Sequence, residues 1–300
     1  LEAPGAGDGR RVWRGAIRCW WGYFKKMAGA DRAAVVVAAA FRDPAVLDRS
    51  QLLLAAVLYS FQLYADFSGY TDIVLGVGEI LGLSLPENFR RPFLAASVKE
   101  LWSRWHISLS RWLRDYVYIP LGGSRCRPAR RDANLVLTFL VSGLWHGAGL
   151  TYLLWGFLQG LLQALENHLP WRRAVTRGRA RWAGIAGTFA VFVFTFTIFR
   201  ASSLTNALQY FRGLLFQSGW DALNNYWELG LASRQDQLVL FAGVAILIAV
   251  DLLQERGVRL LDRLAAAPRA LRWAAYEAMI FSFLYMGQFL GGGGFLYARY

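Results

Sequence analysis

The sequence predicts an all-α, polytopic membrane protein, and three observations carry that reading. Hydrophobic residues make up 56% of the 300 residues and charged residues only 18%, against roughly a quarter charged in soluble domains. The apolar residues come in continuous runs and do not alternate, which favours spanning helices over a transmembrane β-barrel. Thirteen Trp, within 15% aromatics, suit a chain with two lipid–water boundaries to anchor. Mean hydropathy is +0.30, and so much apolar surface excludes a disordered chain. Two cysteines, Cys19 and Cys126, exclude a disulfide scaffold. The net charge is +13, from 33 Lys and Arg against 20 Asp and Glu. In a soluble protein this would point to nucleic acid. Here the basic residues lie between apolar runs, where they set topology, and no nucleic-acid partner is expected.

Leu1 to Gly9 reads as loop, without the apolar core of a signal peptide. From Val12 to Met27, Trp13, Trp20, Trp21, Tyr23 and Phe24 mix with Arg11, Arg14, Arg18, Lys25 and Lys26. That pattern predicts a helix lying at the membrane surface. The chain starts at Leu1 and not at Met, so it reads as a fragment lacking upstream N-terminal spans. A spanning helix needs about 20 mostly apolar residues. Ala33 to Phe41 is too short alone. Leu52 to Leu83 is long enough, although it holds Asp66, Asp72 and Glu79. Residues 135–165 are apolar throughout and too long for one straight span. Gly143, Gly147 and Gly149 interrupt them, which predicts a broken helical hairpin. Ala183 to Phe199, Leu238 to Leu253 and Trp273 to Leu290 read as further spans, followed by a turn at Gly291 to Gly294 and an aromatic tail, Phe295 to Tyr300. Residues 1–300 thus read as one membrane domain.

The connecting segments sort by charge. Pro86 to Ala133 carries ten Lys or Arg, and His168 to Arg181 and Glu255 to Arg272 carry five Arg each. Arg200 to Gln237 has three Arg matched by three acids. The positive-inside rule places the three basic segments in the cytoplasm and the balanced one outside. The chain must then leave and return between Ala133 and His168, which independently supports a hairpin turning near Gly147.

Three stretches hold residues suited to chemistry. Within 98–117, Val98, Leu101, Trp102, Trp105, Leu109, Trp112, Leu113 and Tyr116 share one helical face. Opposite charges pair at i,i+4 as Glu100–Arg104 and Arg111–Asp115. The segment predicts an interfacial amphipathic helix, with His106 turned inward beside Trp102, Leu109 and Leu113. His106 is either a hydrogen-bonded structural residue or one that lines or shapes a site. In the second stretch, Ser142 to Gly149, His146 sits at the break of the apolar run. Charged residues at membrane depth cost about 2.5–3.5 kcal/mol on insertion scales and are functional candidates by default. Desolvation keeps such an imidazole neutral, which suits a base. Its small neighbours allow close approach of backbone or ligand, and a polar link between helices is the competing role. The third, Asp66 to Asp72, places Asp66, Ser68, Tyr70, Thr71 and Asp72 in an apolar run, as a proton path, a polar lining or a structural network.

Several chemistries lack their residues. There is no G-x-S-x-G elbow and no phosphate loop. Gly76, Gly78 and Gly82 have the wrong spacing for a dinucleotide fingerprint and fit a small helix face. The His and Cys residues make no zinc spacing, so no metal is expected. No Ser or Cys pairs with a base, so a covalent acyl-enzyme has no candidate. His168 lies beside a basic segment and reads as interfacial.

Five ordered motifs then converge on a family. They are Tyr64-Ala-Asp-Phe-Ser-Gly-Tyr-Thr-Asp72, Pro86-Glu-Asn-Phe89 with Pro92, Trp102-Ser-Arg-Trp-His-Ile-Ser-Leu-Ser110, Asp115-Tyr-Val-Tyr-Ile-Pro-Leu-Gly-Gly123 and Gly143-Leu-Trp-His-Gly147. Together they resemble the membrane-bound O-acyltransferase family, in the branch of the membrane subunit of bacterial alginate O-acetyltransferase. The resemblance is dense from about Gly22 to Gly160 and is a match of hydropathy afterwards. It implies a multi-helix bundle with interfacial and re-entrant helices in a bacterial inner membrane, of which this chain is the C-terminal part. It implies transfer of an acyl group, acetyl in this branch, from a cytoplasmic thioester donor (acetyl-CoA or an acyl carrier protein) with no bound cofactor. The acceptor is a hydroxyl of an exported polysaccharide or of a partner protein, such as a periplasmic acetyltransferase. The catalytic candidate is His146, in Trp-His-Gly, with His106, in Trp-His-Ile-Ser, as the second polar residue. Asp66, Ser68, Tyr70, Asp72, Asn88, Trp102, Trp105 and Trp145 become substrate- or pore-lining candidates. The basic 98–117 segment can attract an anionic donor. Competing expectations are D-alanyl transfer to teichoic acid by a related branch, and a non-enzymatic export conduit or scaffold.

Overall fold

A computed structural model describes residues 9–169, 178–219 and 234–286, and every regular element among them is helical. In order the α-helices, with a π-type turn (Lys25–Ala30) between the first two, are α1 (Gly9–Phe24), α2 (Asp31–Arg42), α3 (Arg49–Ile80), α4 (Val98–Arg104), α5 (Ile107–Leu113), α6 (Pro128–His146) and α7 (Leu150–Glu166). They continue as α8 (Gly178–Arg200), α9 (Leu204–Phe216), α10 (Arg234–Glu255), α11 (Leu260–Ala266) and α12 (Arg269–Met286). Local chemistry fixes several ends. Asp48 accepts from the Gln51 N–H at 2.8 Å and opens α3, Ser97 caps α4 and Ser203 caps α9. Pro128 starts α6, where its missing N–H costs nothing. The Gly291 to Gly294 turn and the aromatic tail lie outside the described residues.

Three described helices, α3, α8 and α10, are long and apolar enough to cross a membrane. The 135–165 hairpin forms two helices that each fall short of the same measure, and of the span expected over Trp273 to Leu290 the described part lies in α12, with residues 287–290 outside the described residues. α6 carries Arg130, Arg131 and Asp132 near its start, α7 has 17 residues, and α12 carries Arg269, Arg272 and Glu277.

The chain forms two compact units, residues 1–36, 61–87 and 230–300 in the first and residues 37–60 and 88–229 in the second. In the first, α1 lies on the later part of α3 with the two backbones in touch. A Cβ on Gly15 would sit 2.5 Å from the Gly76 oxygen, and one on Gly22 would sit 2.5 Å from the Gly69 oxygen. Each glycine pair is spaced two turns apart along its own helix, a small-residue seam of the kind that lets helices pack closely. The aromatic stripe of α1, expected at the membrane surface, has partners inside the unit. Trp13 donates to the Tyr276 hydroxyl at 2.8 Å and Trp20 to the Met279 carbonyl at 3.0 Å. Phe24 is buried with Ala28 and Val239, with Trp20, Trp21 and Met286 against them.

In the second unit α6 and α7 form a hairpin whose backbones also touch. A Cβ on Gly160 would lie 2.6 Å from the Val136 Cα, and one on Gly143 or Gly156 would collide with the Tyr152 or Phe139 carbonyl oxygen. Gly147 ends α6 at φ 151°, and a Cβ there would also meet the Tyr152 ring at 2.8 Å. Only glycine meets both demands. α8 covers the hairpin with Phe196 and Phe199. The balanced segment after Arg200 contains a helix that the hydropathy pattern did not indicate, α9. It is tied in by Tyr210, fully buried, whose hydroxyl donates to the Leu52 carbonyl at 2.7 Å.

The amphipathic segment 98–117 is not one helix. It breaks at Trp105–His106 into α4 and α5, each of seven residues, and ends in a π-type turn over Arg114–Tyr118. The break rotates the second half. Leu109 and Leu113 stay buried, but Trp112 and Tyr116, assigned to the same apolar face by spacing, are 50% and 68% exposed. The Glu100–Arg104 pair forms at 2.6 Å, whereas Asp115 takes its ion pair from the adjacent Arg114 at 2.7 Å.

Candidate active site

His106 and His146 come together in the second unit. His146 is the last residue of α6, presented where the chain turns through Gly147. Its ring stands edge to face with Trp155 and Phe199, at centroid separations of 5.4 and 5.0 Å and interplanar angles of 88° and 85°. Tyr152 lies 6.5 Å away. Trp145 bridges the two histidines, 4.8 Å from His146 and 5.9 Å from His106.

His106 reaches this position through unusual backbone. It adopts φ 41° and ψ 57°, left-handed, at the junction of α4 and α5. A bulky residue in this region costs on the order of 1–3 kcal/mol and persists only where its surroundings over-determine it. The imidazole is buried. Burial first, and then charge on the neighbouring His146, push its pKa down to about 3, so it is neutral at physiological pH.

A buried polar chain supports the site from behind. The Trp102 indole N–H donates to Gln159 Oε1 at 3.1 Å, and Gln159 Nε2 donates to the Thr195 hydroxyl at 2.8 Å. The hydroxyl in turn donates to the Val191 carbonyl at 2.8 Å. Trp102 stands edge-on to Trp155 at 5.8 Å, and Trp155 faces His146. α4, α7 and α8 are thereby fixed to one another around the histidine pair. At the open end of α4, Glu166 accepts from the Val98 and Lys99 N–H groups, both at 3.0 Å.

The other sequence candidates separate into distinct environments. Trp102 and Trp105 are both buried. Trp105 packs among Phe89, Phe93, Phe192 and Phe196. Asn88 bonds the backbone at the His106 break. Trp145 is half exposed beside both imidazoles. Asp66, Ser68, Tyr70 and Asp72 belong to the first unit. There Lys26 donates to Asp66 and pairs with Asp31, both at 2.7 Å. Lys25 bonds Ser68 at 2.8 Å and Asp72 at 2.5 Å, and Arg18 reaches Asp72 at 2.9 Å and Glu87 at 2.6 Å. Tyr70 is 39% exposed. Among the described residues no group of His, Cys, Asp and Glu is arranged to hold a metal ion. His168 pairs with Asp132 at 2.6 Å.

Sequence reasoning did not single out Trp155, Gln159, Thr195 or Phe199. Of these only Gln159 carried a signal, as one of two amides, with Gln163, in an apolar run where each needs a partner if buried.

Comparison with known proteins identifies the family. The model of MBOAT, the membrane-bound O-acyltransferase family, matches residues 10–208, which include both histidines. The chain is 39% identical over 201 residues to the peptidoglycan O-acetyltransferase of Helicobacter pylori, covering 66% of this chain and 38% of that protein. It is 38% identical over 236 residues to the "Probable alginate O-acetylase AlgI" of Pseudomonas aeruginosa, covering 78% and 43%. A match at 37% identity over 116 residues, covering 36% and 29%, links it to the teichoic acid D-alanyltransferase of Bacillus subtilis. The chain thus spans less than half the length of these relatives. By the family match and these identities, the chain belongs to the membrane-bound O-acyltransferase family.

Proposed function

We propose that this chain carries the acyl-transfer centre of a bacterial inner-membrane O-acyltransferase. The acyl group is acetyl, the donor a cytoplasmic thioester (acetyl-CoA or acyl carrier protein), and the acceptor a hydroxyl of an exported polysaccharide or of a partner protein. The observation that carries the reading is the convergence of His106 and His146 on Trp145 within the stretch matched by the family. In this mechanism neutral His146 accepts the proton of the acceptor hydroxyl as its oxygen attacks the thioester carbonyl. The new C–O bond forms, the C–S bond breaks, and the departing thiolate takes the proton back from the imidazolium. A positioned base of this kind contributes about 10²–10⁴-fold. Buried, neutral His106 shapes the far side of Trp145. A periplasmic acetyltransferase that receives the group fits the same scheme.

The test is turnover of a labelled acetyl thioester by the full-length protein in lipid vesicles, with glycan acceptor. Thiol release coupled to ester formation is expected, and His146→Ala lowers it by about 10²-fold or more. Equal turnover by His146→Ala removes His146 as the base. The Bacillus subtilis relative favours one second reading, D-alanyl transfer. It predicts turnover of a D-alanyl thioester in place of the acetyl one.

A further inference from the structure

The helix that begins after His106 is capped by a residue that is not part of it. The first N–H groups of a helix have no partner within it. An N-cap side chain normally supplies an oxygen from an extended backbone. His106 occupies that position in a left-handed conformation, and its imidazole makes no capping hydrogen bond. Two N–H groups of α5 go instead to Asn88. Its carbonyl oxygen accepts from Ile107 N–H at 3.0 Å, and its side-chain Oδ1 accepts from Ser108 N–H at 3.0 Å. Two residues along, the Arg90 N–H donates to the Arg104 carbonyl at 2.9 Å. The Asn88–Arg90 segment therefore splints the break, with one end on the last turn of α4 and the other on the first turn of α5.

We propose that Asn88 is a positioning residue for His106. By capping α5 from a neighbouring segment it holds the left-handed turn and leaves the imidazole to face Trp145 and His146. The role differs from the lining of substrate expected for Asn88 from sequence, and the two have different chemistry. Capping needs only an acceptor oxygen, whereas an amide that binds substrate also offers two donors. Asp supplies the acceptor alone, and its charge is favourable at a helix N-terminus.

The effect on catalysis rests on the acyltransferase reading, but the effect on the turn does not, so the experiment has two arms. Full-length wild type, Asn88→Ala and Asn88→Asp are compared in membranes at matched abundance. In Asn88→Ala the Ser108 amide is expected to exchange with deuterium about tenfold faster, the equivalent of one lost hydrogen bond. Its kcat should fall about tenfold or more with little change in KM, the signature of a site in which His106 no longer backs Trp145 and His146 is left misplaced. Asn88→Asp should restore both. An Asn88→Asp protein that protects Ser108 yet is as inactive as Asn88→Ala overturns the proposal and assigns the amide to substrate. Unchanged exchange in Asn88→Ala overturns it as well. Where Asn88→Ala does not accumulate, Asn88→Asp alone decides, active for positioning and inactive with Ser108 protected against it. If the wild type turns over no acyl donor, the function proposed above fails, and the exchange arm still decides the role of Asn88.

Discussion

His106 sits where backbone strain and burial coincide, and both have measurable consequences. A neutral, buried imidazole with its pKa near 3 binds fewer protons than the same side chain in the unfolded protein, where its pKa is about 6.5. Folded stability is therefore complete above about pH 6.5 and declines as pH falls from there toward 3. The melting temperature of the solubilised full-length protein should drop between pH 7.5 and pH 5. His106→Gln, which cannot take up a proton, should make that drop smaller. An equal drop in both proteins would show that His106 is not held neutral by its site. The neighbouring Gly147 is constrained in a different way, since both its φ of 151° and the Tyr152 ring exclude a side chain. The two residues show why this site is built on a helix break and a helix end, which release side chains from the regular spacing of a continuous helix.

At the scale of elements, α1 and α3 illustrate what a sequence shows and what it hides. The length of α3 and the interruption of the apolar run at Gly147 follow from hydropathy and glycine placement, which are local properties. The partners of the α3 carboxylates are not local. Arg14, Arg18, Lys25 and Lys26 are aromatic-flanked cations on a surface-like helix when read alone. Folded, they reach Glu79, Asp72 and Asp66 across a glycine seam. The break at His106 was hidden for the same reason. Periodicity marks a face over 98–117 but carries no trace of the 88–90 segment, which bonds the Arg104 carbonyl and the Ile107 and Ser108 N–H groups on the two sides of the break. The α1–α3 pairs carry a prediction. Lys26 and Asp66 are both buried, and removing one partner of a buried pair costs about 3–5 kcal/mol. Lys26→Met should lower the melting temperature of the full-length protein strongly. An unchanged transition would mean that the pair is wet and weak.

For the whole molecule, charge and hydropathy act together. The strongly basic segment between α3 and α6 is expected on the cytoplasmic side, the side of the proposed thioester donor. Ser124 is exposed within it. Ser124→Cys in a Cys126→Ser background should react with a membrane-impermeant maleimide in inverted vesicles and not in intact spheroplasts. The opposite pattern would reverse the topology and put the donor on the wrong side of the proposed reaction. The family match over residues 10–208 and the histidine pair are independent observations that meet in one stretch of chain. The acyl group and the acceptor rest on the reactions named for relatives of which the match covers less than half.

The role of His146 in acyl transfer is tested most directly by the ester-linked acetyl content of exported polysaccharide in cells producing full-length wild type or His146→Ala at equal membrane abundance. Acetylated polymer is expected with the wild type, and a loss of about 10²-fold or more with His146→Ala. Undiminished acetylation by His146→Ala, on a polymer whose acetylation requires this protein, would contradict it.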